Sequence, residues 1–250
     1  MLIGLVSYFM LLFGGAQMES FYIIEFNKGL KKYVTSIPRR QDADAILSVY
    51  ASTYKEFDKE HQKRLKVLQD KNTNYSTPMQ WYQDFFATAI EDRQKLQASF
   101  ISGRLRMQEI LTQDEWEKIH ESTRANFTKF VEKKKKKREK KAGKDPYLKI
   151  SNTIKETLTS GEKQTRSLDA LGSFQEKHKM IVESHENLHS TEAKVLGNRH
   201  ATKEDLQETF NSVNKLRKSL IDSYIELLFN LKDNTSEEEW SIIVKDLNNL

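Results

Sequence analysis

TPMQWYQDFFATAIEDRQKLQASFISGRLRMQEILTQDEWEKI, Thr77 to Ile119, is the stretch on which the architecture turns. Apolar or small residues return every three or four positions, at Trp81, Phe85, Ala89, Leu96, Phe100, Gly103, Met107 and Ile110, with Arg93 in the same line. That is the period of one helical face. The spacing predicts a single helix of about 34 residues, near 50 Å long at 1.5 Å per residue. Thr77 is its expected cap, with Pro78 at the first helical position. At the far end Thr112-x-x-Glu115 reads as a capping box that opens another helix. The stripe of that helix is Trp116, Ile119, Thr123, Phe127 and Phe130. Two helices therefore meet at one short corner.

The same unit returns 124 residues later without gaps. RQKLQASFI at 93–101 lies over RKSLIDSYI at 217–225: Arg93 over Arg217, Leu96 over Leu220, Ser99 over Ser223, Phe100 over Tyr224 and Ile101 over Ile225. The corners follow in register, Thr112 over Ser236, Glu115 over Glu239, Trp116 over Trp240 and Ile119 over Ile243. Upstream, Thr77 with Thr202 and Phe85 with Phe210 align at an offset of 125. Both copies of the long-helix, cap, helix unit keep their caps and their tryptophans, which marks an internal repeat.

Helical periodicity extends through the rest of the chain. Ile46, Tyr50, Tyr54, Phe57, His61, Leu65 and Leu68 form one stripe from Asp42 to about Gln69. Asp145-Pro146 restarts a helix whose stripe runs through Ile150, Ile154 and Leu158 into Leu168, Leu171, His178, Ile181, His185 and Leu188. No segment alternates long enough for a sheet. The expected fold is all-α: long antiparallel helical hairpins in two tandem repeats forming an elongated bundle. The expected divisions are 1–16, a signal peptide or N-terminal anchor; 17–41, a lead-in that is a short helix or strand-like; 42–132, repeat 1; 133–145, a lysine-rich linker or helix extension; and 146–250, repeat 2.

Composition agrees. Nine Gly and three Pro in 250 residues leave few turn-formers, so elements are long. With 31% charged residues and a mean hydropathy of -0.71, the chain is too polar for a membrane bundle, and 37% hydrophobic residues suffice for a modest core. The net charge of +5 is local: Lys133 to Lys144 holds nine basic residues and one acid, +8 in all, so the remainder is net −3. The patch is Lys133, Lys134, Lys135, Lys136, Lys137, Arg138, Lys140 and Lys141, and no aromatic residue interrupts it. An anionic membrane surface is the partner it suggests; nucleic acid is not expected. Residues 2–13 are apolar or uncharged, and Gly14-Gly15-Ala16 offers a cleavage site, although no basic residue comes first. The expectation is export, to a bacterial periplasm, with the segment cleaved or kept as an anchor.

His185-Glu186-Asn187-Leu188-His189 spells the H-E-x-x-H of a zinc metalloprotease helix. Its surroundings argue against that chemistry. No sheet is predicted to hold a peptide substrate, and Glu192 and Val195 stand where the metzincin extension needs Gly and His. The metallohydrolase ranks third among the readings. A non-catalytic site ranks above it: His178, His185, His189 and Glu192 share one helical face and would hold Zn²⁺ or Cu²⁺. The plain alternative is a semi-exposed polar face with His178 and His185 partly in the bundle seam. No phosphate loop and no activated nucleophile is visible, so no enzyme and no obligatory cofactor is expected.

LTQDEWEKI, Leu111 to Ile119, resembles the LTxxQ motif of the Spy and CpxP type of periplasmic proteins, and TSEEEWSII, Thr235 to Ile243, is a weaker copy. Glu115 and Glu239 stand where the motif has Gln, and Thr235-Ser236 where it has Leu-Thr. The resemblance implies helical hairpins that pair as cradle-shaped dimers, among them envelope-stress chaperones and zinc-responsive proteins. The leading expectation is therefore an exported, non-enzymatic interaction protein that meets unfolded clients, a helical partner or a second copy of itself. A periplasmic metal-binding protein is the alternative.

Overall fold

The computed structural model describes residues 16–139 and 146–248. Of the proposed leader, residues 1–16, all but Ala16 lie outside them, as do Lys140 and Lys141. Among the described residues there are eight helices and no strand: α1 (Ala16–Tyr33), α2 (Ile37–Thr73), α3 (Met79–Ile110), α4 (Gln113–Glu139), α5 (Pro146–Thr157), α6 (Gly161–Gly197), α7 (Lys203–Asp233) and α8 (Glu237–Leu247). The all-α expectation holds. The lead-in is helical: α1 fills most of it, and α2 starts at Ile37 instead of Asp42. Pro38 sits in the first turn of α2, where its missing N–H leaves no bond unmade. Residues 133–139 continue α4.

Burial of one stripe per helix assembles the layers. α2 packs against α3 and α6 against α7; α1 lies on α4 and α5 on α8; α3 packs against α7. One core gathers Phe26 and Leu30 of α1, Ile46 and Leu47 of α2, Met107 and Leu111, and Trp116 and Ile119 of α4. The larger core joins α5 to α8 through Ile150, Ile154, Leu220, Leu228 and Trp240, and also takes in Leu68, Tyr82 and Phe86 from α2 and α3. The close approach of α1 to α4 needs Gly29, because a Cβ there would stand 2.9 Å from Ile119 Cγ2.

Helix boundaries recur at a constant spacing. The ends at Tyr33 and Thr157, the starts at Ile37 and Gly161, the ends at Thr73 and Gly197, and the starts at Met79 and Lys203 and at Gln113 and Glu237 are each 124 residues apart. This corrects two expectations. Thr77 is not a cap: its hydroxyl donates to the Lys71 carbonyl at 2.9 Å, and Pro78 occupies the cap position of α3. The cap positions before α3 and α7, Pro78 and Thr202, are 124 residues apart and not 125, and Thr202 forms a full capping box with Asp205. The early stripe of α3 shifts with it. Tyr82 and Phe86 are buried, set edge-on against Phe229 and Tyr224, while Trp81 and Phe85 stack on each other at the partly exposed side. The stripe expected to run unbroken from Ile150 to Leu188 is divided between α5 and α6, with Ser160 at the cap position of α6.

Candidate functional site

Two corners carry the cap residues singled out in the sequence. At the first, between α3 and α4, Thr112 Oγ1 accepts from the Glu115 backbone N–H at 3.3 Å, and Glu115 Oε2 accepts from the Thr112 N–H at 2.9 Å. At the second, between α7 and α8, Ser236 and Glu239 form the same reciprocal pair, at 3.2 and 2.7 Å. Glu115 also takes both arms of the Arg39 guanidinium, at 2.5 and 2.9 Å. Burial raises the Glu115 carboxyl, but the Thr112 backbone and Arg39 more than offset it, so its pKa lies below the ordinary glutamate value.

Each corner closes on the opposite half of the chain. The Trp116 indole N–H donates to the Gly197 carbonyl at the end of α6, 2.8 Å away, and the Trp240 indole N–H donates to the Asn72 carbonyl at the end of α2, 2.9 Å away. A cation lies over each indole: the Arg104 guanidinium 4.2 Å above Trp116, and the Lys232 ammonium 5.3 Å from Trp240. Arg104 donates to the Val195 and Asn198 carbonyls, and Lys232 to those of Asn74 and Thr77. Both cations thereby face the negative end of a helix dipole. Burial pushes the Lys232 ammonium down to about 8. The loops between the helices repay the contact. Arg199 donates to the Gln108 and Leu111 carbonyls; Tyr75 donates to those of Lys232 and Thr235, positions 124 residues further on. This arrangement ties four helix ends together. The sequence marks the caps and both tryptophans, but Arg104, Arg199, Tyr75 and Lys232 went unnoticed because their partners are backbone carbonyls, which every residue has.

The histidine stripe divides. All four positions lie on unbroken α6. His178 is only 2% exposed, its Nδ1 is 2.6 Å from the Tyr147 hydroxyl, and its ring stacks on Phe174. Burial lowers its pKa to about 4. His185 is half-buried, and the side chains of His189 and Glu192 lie outside those described. No cluster of three metal-ligating side chains occurs among the described residues.

Between α6 and α7 runs a groove of about 490 Å³. Phe174 and Leu227, each 2% exposed, lie at its floor, and Arg166, Asp169, Lys177, Glu226 and Asp233 contribute charge. Lys177 bridges it to Glu226 at 2.7 Å. Three residues past Lys177, Met180 is 65% exposed. In the basic segment, Lys133 and Lys136 are exposed. Among the described residues no helix is long and apolar enough to cross a membrane. No protein-family model, no curated protein and no solved structure matches this chain.

Proposed function

We propose that the chain is an exported, non-enzymatic helical interaction protein that holds unfolded or partner polypeptide, of the envelope-stress chaperone or sensor kind that its cap motifs resemble. Its two halves are read as tandem copies of one four-helix unit, α1–α4 and α5–α8, arranged as hairpins that embrace each other. The constant spacing of 124 residues between helix boundaries supports that reading.

The observation that carries the function is the groove between α6 and α7. A narrow apolar floor under charges of both signs suits a client that offers apolar and charged side chains along an extended backbone. Exposed Met180 prolongs the same α6 face with a side chain that adapts to different partners. The test is suppression of aggregation of a chemically denatured model enzyme. Stoichiometric chain should delay the onset of scattering, and Lys177→Glu combined with Met180→Asp should abolish the delay while leaving the helical circular dichroism unchanged. Client aggregation that proceeds identically with excess chain would sink the reading.

A second reading rests on the continuity of α6. His185, His189 and Glu192 stand at i, i+4 and i+7 of an unbroken helix and so share a face that would hold Zn²⁺ or Cu²⁺ without catalysis. Calorimetric titration with Zn²⁺ tests it. A site tighter than about 10 μM that His185→Ala removes supports it; heat that is the same in both proteins ends it.

A further inference from the structure

The groove between α6 and α7 is uneven in charge. Lys177 and Glu226 both stand far from the turn at 198–202 and still meet, so the two helices fold back along each other. Asp169 precedes Lys177 by about two turns, Asp233 follows Glu226 by about two turns, and both line the groove. They therefore share the end away from the bridge, about 11 Å along it. The other charges of the lining are neutralised close by. Lys177 pairs with Glu226 at 2.7 Å, and Arg166 pairs with Glu162 at 2.6 Å. Asp169 and Asp233 are exposed and have no ion-pair partner among the described residues.

The hydrogen-bonding groups around this end have one polarity. The Asn230 amide donates to the Glu226 carbonyl at 2.8 Å, and the Asn234 amide donates to the Asn230 carbonyl at 2.7 Å. The Ser223 hydroxyl donates to the Ser219 carbonyl at 2.9 Å. Each of these side chains spends a donor on α7 itself, so the groove offers a ligand mostly acceptors, two carboxylates and two amide oxygens among them. Asp233 and Asn234 also stand at the C-terminal end of α7, where the helix dipole adds negative potential. A guanidinium or ammonium group meets all of these needs, and a carboxylate meets none. The apolar floor lies nearby. Phe174 stands five residues from Asp169, about 7.5 Å along the helix, and an extended chain covers that distance in about two residues. Residues two apart on an extended chain face the same side.

We infer that the groove recognises an extended polypeptide segment in which an arginine or lysine stands two positions from an apolar residue, with the cation between Asp169 and Asp233 and the apolar side chain over Phe174 and Leu227. This rests on the client-holding reading and names what that site selects.

Fluorescence anisotropy with the full-length chain tests it. One labelled probe is a peptide of about eight residues, threonine throughout except for an arginine and, two positions on, a leucine. Its twin has glutamate in place of the arginine. The wild-type chain should bind the arginine probe about tenfold more tightly or better in about 0.1 M salt, because two carboxylates attract one probe and repel the other. The preference should fade by about 0.5 M salt. Asp169→Asn with Asp233→Asn should bring the two probes within about twofold of each other and leave the helical circular dichroism unchanged. Arg166→Gln, which removes a cation one turn from Asp169, should widen the preference. Equal binding of the two probes by the wild type, or no binding of either, overturns the inference. Aggregation of the denatured enzyme that is still delayed then leaves the client reading standing, and aggregation that is not delayed removes both. A preference that survives the double aspartate variant also overturns the inference, because the selecting charge then lies elsewhere. So does spermidine that displaces the arginine probe at a concentration below the probe's own Kd, since the occupant would then be a free polyamine.

Discussion

Trp240 shows how much one side chain holds. It is fully buried, and its indole N–H satisfies a carbonyl at the end of a helix from the other half. Trp240→Phe keeps most of the volume but leaves the Asn72 carbonyl without that donor, so the urea midpoint should report a loss of about 1–2 kcal/mol. Trp240→Ala adds a cavity and should cost about 3–5 kcal/mol. Two buried histidines, His61 and His178, and the half-buried His120 set the response to acid. Burial lowers His61 to about 4, helped by the charges of Arg93 and Arg64; burial lowers His120 to about 3, helped by Arg104; and His178 stands at about 4. Each folded value lies below the unfolded value near 6.5, so the unfolded chain binds protons first as pH falls. The stability they contribute is complete above about pH 6.5 and is lost from there down through pH 4, at about 1 kcal/mol per pH unit for each ring. Urea midpoints at pH 7 and pH 5 should differ accordingly, and His61→Gln should flatten the difference. Equal midpoints at both pH values would mean that the folded protein accommodates charged rings.

At the scale of elements, close approach outweighs intrinsic helix preference at Gly29. Alanine there would favour helix by about 1 kcal/mol. It would also drive a methyl group into Ile119, whose branched side chain is fully buried and cannot swing aside. Overpacking of that kind costs about 1–3 kcal/mol, so Gly29→Ala should lower the melting temperature, and Gly29→Ala with Ile119→Val should recover part of the loss. Elements were largely legible from periodicity: the two capping boxes at Thr112 and Ser236, the stripe of α2 through Ile46, Tyr50, Tyr54, His61 and Leu68, and the later stripe of α3 through Arg93, Leu96 and Met107 stand where the spacing put them. The failures have a physical pattern. Thr77 looks like a cap because threonine often is one, yet its hydroxyl reaches back to Lys71. Trp81-Tyr82 and Phe85-Phe86 place aromatic residues on two adjoining faces of one helix, and only the position of α7 chooses between them. His178 and His185 share a helical face by spacing, but α5 brings Tyr147 to His178. Periodicity fixes direction around one axis; it does not say what a neighbouring helix brings to each level.

At the scale of the whole molecule, the two corners make the halves interdependent. Arg199 of the second half binds carbonyls of the first, and Tyr75 of the first binds carbonyls of the second. Arg199→Ala should therefore raise amide exchange at residues 108–116, roughly tenfold for each 1.4 kcal/mol of lost local stability, and Tyr75→Phe should do the same at 232–240. Exchange that rises only beside the substituted residue would show the halves to be independent. The exchange of partners also bears on when the protein can form. The Trp240 contact spans 168 residues and the Tyr75 contact to Thr235 spans 160. A growing chain makes the turn after α2 well before α8, and that turn then waits, its carbonyls still hydrated, until residues 232–240 have been synthesised. Such distant closure slows folding even in a helical protein, because the loop must be searched before any contact rewards it. Until then Leu68, Tyr82 and Phe86 of α2 and α3 keep apolar surface on view, and their burial is timed by the arrival of α7 and α8.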